Sequence, residues 1–321
     1  MSKPIKIKLP DTHEEWMDQR RSGLGGSDAG AVLGLNPYKS AYTLWAEKSC
    51  LMPDEVEDNE AMRQGRDLEE YVAQRFCEAT GKKVQRSGFS YQSAEYPWML
   101  ANIDRKVIGE NAGLECKTSN PFKDKAYEGG DIPPHYYAQC LHYMAVMGFD
   151  RMYIAIVVYG KGFYWFQIDR EDCENDIKAL IDAEREFWQC VQNDIEPDID
   201  GSDSTTATLN ALNRGSGTVC DMSEYDVVFD RLDEVKGEIK LLEEKKKKFE
   251  NMIRQGLNLS EAGYGKGTKY QASWKPQTSR RIDTKALRAN MPSVADQFTV
   301  ESTTTPLRIT RRKAEKERAN G

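Results

Sequence analysis

Asp104, Glu115 and Lys117 have the residue types and the spacing to do chemistry. They sit in the stretch ANIDRKVIGENAGLECK (101–117), with ten residues between the aspartate and the Glu-Cys-Lys triplet. Successive side chains on a strand point to opposite faces, so Glu115 and Lys117 share a face and Cys116 points the other way. The glycine-bearing turn GENAG predicts a hairpin that brings Asp104 beside Glu115. Two carboxylates and an amine would then meet at one spot. Carboxylate oxygens are hard ligands suited to Mg²⁺, with Mn²⁺ as a substitute. A cation held there lowers the pKa of a bound water, and the lysine offsets charge on a phosphoryl oxygen. The chemistry that fits is metal-assisted phosphodiester hydrolysis. The same residues also fit an exposed hairpin carrying a surface ion pair.

The elements that must position these residues can be read from periodicity. Asp28–Leu33 and Ala41–Lys48 read as short helices. Ala61–Thr80 is amphipathic, with Leu68, Val72, Phe76 and Ala79 on one face and Gly81 as its stop. Lys83–Tyr91, Leu100–Ile108 and Gly113–Lys117 read as strands. They are followed by a helix over Tyr136–Met147, strands over Met152–Tyr159 and Gly162–Ile168, and a helix over Glu171–Asn193. This order predicts an α/β fold with a central mixed sheet flanked by helices. Ile195–Ser216 is poor in large apolar residues and reads as a linker. Tyr225–Ile253 carries apolar residues in alternating steps of three and four, interrupted at Lys246, the pattern of a helix that packs on a partner helix. Beyond it lies a glycine-rich turn without P-loop spacing, then strand, short helix, strand, with Asp283 as an N-cap and a disordered end. The boundaries are a main domain over 1–195, a linker over 196–220, the long helix over 221–256 and a small basic module over 257–321.

Composition narrows the function classes. No apolar run is long enough to cross a bilayer and the N-terminus has no signal-peptide character, so the expectation is a cytoplasmic protein without a membrane partner. The seven cysteines are scattered and never spaced as CxxC, which argues against a disulfide framework, a zinc site or an iron–sulfur cluster. The net charge is −7, but Tyr264–Gly321 holds 13 Lys/Arg against 5 Asp/Glu, or +8, leaving −15 for the rest. A basic segment of this kind is suited to a polyanion.

Four further stretches carry a resemblance. WMDQRRSGLGGSDAGAVLGLNPYKSAYTLWAEK (16–48), GRDLEEYVAQRF (65–76), LANIDRKV with LECKTS (100–107 and 114–119), and YYAQCLHYMAVMGFDRMYIAIVVYGKGFYW (136–165) occur in order. Together they resemble the YqaJ-type viral recombinase family, which is similar to lambda exonuclease and belongs to the PD-(D/E)XK nuclease superfamily. The resemblance spans roughly residues 14–195. It implies a restriction-endonuclease-like core and a Mg²⁺-dependent, phage-type 5′→3′ exonuclease on double-stranded DNA that leaves 3′ single strands for recombination. The alternatives are an endonuclease of the same fold and a catalytically weak DNA-binding or assembly protein. It also implies a catalytic set of Asp104, Glu115, Lys117 and Gln139, and a metal set of Glu69, Asp104, Glu115 and Cys116. Arg20, Ser27 and Tyr143 would contact DNA, with Arg20 and Ser27 at a terminal phosphate. An annealing recombinase and a homo-oligomer, a ring-like trimer, are the implied partners. The chain departs from the pattern at Leu141, where many relatives carry Gln, and at Ile103, where the superfamily name places Pro.

Overall fold

The alternation of apolar runs and amphipathic stretches in the first two hundred residues resolves into two sheets. The computed structural model describes residues 3–52, 60–213, 215, 217–301 and 306–310. The chain divides into two units, 1–214 and 215–321.

The first unit opens with strand β1 (Ile5–Lys8) and helix α1 (His13–Arg21). Strand β2 (Leu24–Gly25) then runs directly into α2 (Gly26–Val32), followed by α3 (Ala41–Lys48) and α4 (Glu60–Thr80). Five strands come next: β3 (Val84–Arg86), β4 (Phe89–Gln92), β5 (Met99–Ala101), β6 (Arg105–Val107) and β7 (Ala112–Ser119). Helices α5 (Asp124–Glu128) and α6 (Pro134–Met147) cross to β8 (Arg151–Val158) and β9 (Phe163–Asp169), and α7 (Arg170–Gln192) and α8 (Asp203–Leu212) close the unit. The smaller sheet has the order β1-β4-β5-β2, and the larger, five-stranded sheet β3-β6-β7-β8-β9. In the larger sheet β7 and β8 run parallel and the other pairs antiparallel, so the sheet is mixed as expected.

Each face of the larger sheet is covered by a different helix. Val72, Ala73 and Phe76 of α4 pack on Leu114, Tyr153 and Ala155. On the other face, Cys140, Met144 and Met147 of α6 and Ile177 and Leu180 of α7 pack with Ile154 and Ile156. The apolar face expected for α4 is present at Val72 and Phe76, while Leu68 is half-buried and Ala79 exposed. Helix α6 begins at Pro134, which has no N–H to leave unsatisfied, and ends at Gly148 in the left-handed conformation (φ 65°).

Two expectations are corrected. The single strand foreseen over Leu100–Ile108 is two strands in two sheets, because the chain leaves the smaller sheet after Ala101 and enters the larger one at Arg105. The stretch Ile195–Ser216 is not wholly irregular, since it contains α8. That helix is seated by hydroxyls rather than by large apolar groups: Thr205 Oγ1 donates to Ser40 Oγ at 2.8 Å, and Thr208 Oγ1 lies 2.8 Å from Thr43 Oγ1. Low hydrophobicity there concealed a packed helix.

The second unit holds the 34-residue helix α9 (Asp226–Leu259), the hairpin β10 (Tyr264–Lys266) and β11 (Gln271–Ser273), and helices α10 (Thr284–Asn290) and α11 (Pro292–Gln297). Asp283 caps α10 as expected, its carboxylate accepting from the Ala286 N–H. No second strand follows among the described residues, and the last eleven residues, expected to be disordered, lie outside them.

A buried pair links α6 to α7. His142 and Glu184 are fully buried, His142 Nδ1 lies 2.8 Å from Glu184 Oε1, and its Nε2 lies 2.8 Å from the Leu100 carbonyl. Burial alone would lower the imidazole pKa, but Glu184 holds it above its ordinary 6.5, while burial pushes the Glu184 carboxyl up. The stability this histidine contributes is therefore complete below pH 6.5 and lost as pH rises through the raised folded value. Glu184→Gln should cost roughly 1.5–3 kcal/mol, the range for a charge-assisted hydrogen bond. It should also flatten the fall in stability above neutrality. Urea denaturation across pH checks both, and an unchanged pH profile would show that the pair carries no charge.

Candidate active site

The hairpin of β6 and β7 sets the geometry. Arg105 pairs with Leu114, so the same register places Asp104 directly across from Glu115. Directly opposed residues share a face. Asp104 and Glu115 therefore look toward α6, and Arg105 and Leu114 toward α4. Asp104 lies just outside the ladder, where the chain changes sheets, and its Oδ2 accepts from the Cys116 N–H at 2.8 Å.

Around Glu115, which is 3% exposed, the polar groups converge. Lys117 Nζ lies 2.6 Å from Glu115 Oε1, and Gln139 Nε2 on α6 donates to the same oxygen at 2.7 Å. The Lys117 ammonium also sits over the Tyr136 ring, 5.0 Å from its centroid. Burial and the adjacent Glu115 push the Asp104 carboxyl well above the ordinary carboxylate range. Burial by itself would lower the Lys117 pKa, but Glu115 and Asp104 outweigh it and hold the ammonium charged.

One atom in this cluster stands apart: Glu115 Oε2 is buried and has no hydrogen-bond partner among the described residues. An unpaired buried carboxylate oxygen beside a second carboxylate is what a hard cation would satisfy. Among the described residues no three His, Cys, Asp or Glu side chains come together as a metal group. Mg²⁺ does not require them, because it usually takes one or two carboxylates and keeps several waters. The residues present fit Mg²⁺ or Mn²⁺.

Glu69 is not grouped with the two carboxylates. It extends from α4 and pairs with Arg105, which lies on the α4 face of the sheet. The Cys116 side chain also packs toward α4, and burial and Asp104 raise its thiol pKa well above the ordinary value. A neutral thiol is a poor ligand for Mg²⁺, so any contribution from this residue would come from its backbone.

Tyr143 is placed differently from a surface DNA contact. It is buried; its hydroxyl accepts from Gln139 Nε2 at 2.9 Å and donates to the Asn102 carbonyl at 2.9 Å. Its ring lies against Gly26, where a Cβ would come within 2.5 Å of Tyr143 Cε1, so this position accepts only glycine. Tyr143 and Gly26 both line a cavity of about 80 Å³ together with Arg20, Ser27, Lys48 and Asn102, among others. Arg20 reaches it with its guanidinium 4.9 Å from the Trp16 ring centroid and Nη2 3.7 Å from Asp28 Oδ1. Ser27 is exposed in the first turn of α2. The structure brings Arg20 and Ser27 to one cavity and links that cavity to Glu115 through Tyr143 and Gln139.

Sequence reasoning missed the support beneath the cavity. Lys48 Nζ lies 2.8 Å from Asp28 Oδ2 and donates to the carbonyls of Arg20 and Gly23. Asp28 also accepts from the Gly25 N–H at 3.0 Å. Burial would raise the Asp28 pKa, but Lys48 and Arg20 outweigh it and hold it far below the usual range. The acidic residue at the start of α2 was a signal; the distant lysine gave none.

The chain is similar to known proteins over most of its length. Residues 15–150 match the YqaJ-like viral recombinase domain. The chain is similar to the protein YqaJ of Bacillus subtilis (strain 168), at 35% identity over 91% of this chain and 92% of that protein. It is similar over 38 residues to protein D345L of African swine fever virus (strain Badajoz 1971 Vero-adapted), at 55% identity over 12% of this chain and 11% of that one. Among solved structures it resembles the alkaline exonuclease LHK-Exo of Laribacter hongkongensis, with 19% identity, 57% of this chain and 94% of that chain covered, and a TM-score of 0.47.

Asp104→Asn tests the site without an activity assay. The amide replaces a half-buried carboxyl whose ionisation beside Glu115 is disfavoured, and its oxygen can still accept from the Cys116 N–H. The metal-free protein should gain on the order of 1–3 kcal/mol of stability. Mg²⁺ should raise the melting temperature of the wild type in proportion to its binding and leave the variant unmoved. A destabilised variant that still responds to Mg²⁺ would place the cation elsewhere.

Proposed function

The chain belongs to the YqaJ-like viral recombinase family, and from that premise we propose that it is a metal-dependent DNA nuclease acting as a 5′→3′ exonuclease on duplex ends. The observation that carries this reading is the pairing of half-buried Asp104 with buried Glu115, with one Glu115 oxygen unpartnered among the described residues and Lys117 alongside. Asp104 and Glu115 would hold Mg²⁺ or Mn²⁺, with the Cys116 backbone as a further oxygen donor. The bound ion would supply charge neutralisation at the phosphoryl group and a more acidic water. Gln139 fixes the Glu115 carboxylate so that one oxygen stays turned to the site. Lys117, kept charged by both carboxylates, offsets negative charge that grows on the phosphoryl oxygens in the transition state. Glu69 acts through Arg105, orienting the hairpin rather than holding metal.

Arg20 and Ser27 would take the 5′-terminal phosphate. A guanidinium backed by Trp16 and steered by Asp28 is pre-oriented for a phosphate fork. A terminal phosphate bears more charge than an internal one, so such a pocket can favour it and so set polarity. The product would be a 3′ single strand, taken up by an annealing recombinase. The working form would be a homo-oligomer, in keeping with the trimeric ring that the family resemblance implies. None of the described helices is long and apolar enough to cross a membrane, and the proposed place of action is the cytoplasm.

The test is digestion of linear and closed circular duplex with Mg²⁺. Linear DNA should be degraded and circular DNA spared, while cutting of the circle would make the protein an endonuclease and cutting of neither an assembly factor. Asp104→Ala and Glu115→Ala should each abolish the activity. A 5′-phosphorylated end should be digested about ten- to a hundredfold faster than a 5′-hydroxyl end, the range for losing a charge-assisted contact. Arg20→Ala should remove most of that difference by slowing the phosphorylated substrate. Equal slowing of both ends would make Arg20 a general backbone contact.

A further inference from the structure

Helix α9 carries an apolar stripe that its own unit leaves open. Val228, Val235, Ile239, Leu242, Phe249 and Ile253 are each 49–62% exposed. With Tyr225 and Leu232 they fill the first and fourth positions of successive heptads, and the sole charged residue in that series is Lys246. The hairpin of the same unit meets the helix on another side, where Trp274 shares a groove with Lys247, Lys248, Asn251 and Gln255. These helix residues fall at the outer heptad positions, away from the stripe. A stripe of this extent on a 34-residue helix is a contact surface.

We propose that α9 pairs with α9 of a second copy of this chain in an antiparallel coiled coil. Charge selects both the partner and the direction. Residues 226–240 hold five acidic and three basic side chains, and residues 241–259 three acidic and five basic. Antiparallel pairing sets the acidic half against the basic half, whereas parallel pairing sets like against like. Lys246 decides the same way. In a parallel pair it would face its own copy across the seam, burying two ammonium groups together.

In the antiparallel pair centred on Ile239 and Leu242, each layer is complementary. Lys246 lies opposite Val235, where its stem covers the valine and its ammonium reaches water. Leu232 meets Phe249, Val228 meets Ile253, and Tyr225 meets Gly256, large against small. Flanking the seam, Lys236 faces Glu243 and Glu238 faces Lys245. A two-fold axis repeats every contact, so one helix provides both halves of a closed interface, and in a trimeric assembly that interface would join copies of two different rings.

The test uses two differently tagged full-length chains, one with Leu232→Cys and the other with Phe249→Cys, mixed and treated with a short bismaleimide. The joined peptides are then identified by mass spectrometry, which separates them from links through native cysteines. The expected result is a 232–249 link between tags and no 232–232 link in the first variant alone. Because the stripe is exposed in the single chain, Ile239→Asp with Leu242→Asp leaves the packed core untouched and should abolish the 232–249 link. A 232–232 link would overturn the antiparallel orientation. Absence of any link between copies, or a 232–249 link that survives the double aspartate variant, would overturn the pairing itself.

Discussion

Two carboxylates held side by side, Glu115 buried and Asp104 half-buried, are the interaction on which the rest of the first unit depends. Asp104 and Glu115 repel one another, and burial and the neighbouring Glu115 both drive the Asp104 pKa up. The arrangement survives because cations and donors are brought to it from several elements. Lys117 and the Cys116 N–H come from β7 and Gln139 from α6. The stress is not fully relieved within the protein, since Glu115 Oε2 has no partner among the described residues. A divalent cation held there would relieve the remaining stress.

The demand for precise placement explains several features remote from the carboxylates. Helix α6 must lie close to α2, so Gly26 yields its side-chain volume to the Tyr143 ring. That ring then carries a hydroxyl that joins Gln139 to the Asn102 carbonyl, just before Asp104. A continuous path of hydrogen bonds runs from the wall of the Arg20 cavity to Glu115. Behind the cavity, Lys48 and Asp28 form a buried ion pair whose value lies in fixing geometry, because the desolvation of two charges offsets much of their attraction. The Lys48 ammonium also accepts no substitute cheaply, as it ties down two carbonyls of the loop that leads into α2.

The second unit follows a different physical logic. Its helix is long, heavily charged and apolar along one seam, and the described hairpin packs against another side. Its charge asymmetry and the +8 of the segment from Tyr264 contrast with the −15 of the remainder. The basic segment would attract a polyanion that the acidic remainder by itself would repel. Assembly through α9 would bring more than one of each to the same DNA, raising the local concentration of sites without any new contact.

The sequence by itself determined what is local. Asp104, Glu115 and Lys117 were legible because a hairpin of fixed register converts a spacing along the chain into a position across a strand pair. The amphipathic α4, the α6–β8–β9–α7 order and the Asp283 cap were legible for the same reason, each being written in a short period or a neighbouring residue. Tertiary structure decided whatever depended on which face an element turns to a neighbour. Glu69 comes from α4 and pairs with Arg105 on that face of the sheet, a partner thirty-six residues away that no local pattern signals. The apparent strand over Leu100–Ile108 split because two sheets compete for its halves, and α8 passed for a linker because it is seated by hydroxyls. Lys48 under Asp28 and Glu184 against His142 are pairs separated by twenty and forty-two residues, and no local pattern encodes such distances. Periodicity fixes a side chain's direction within its own element; only packing decides what it meets there.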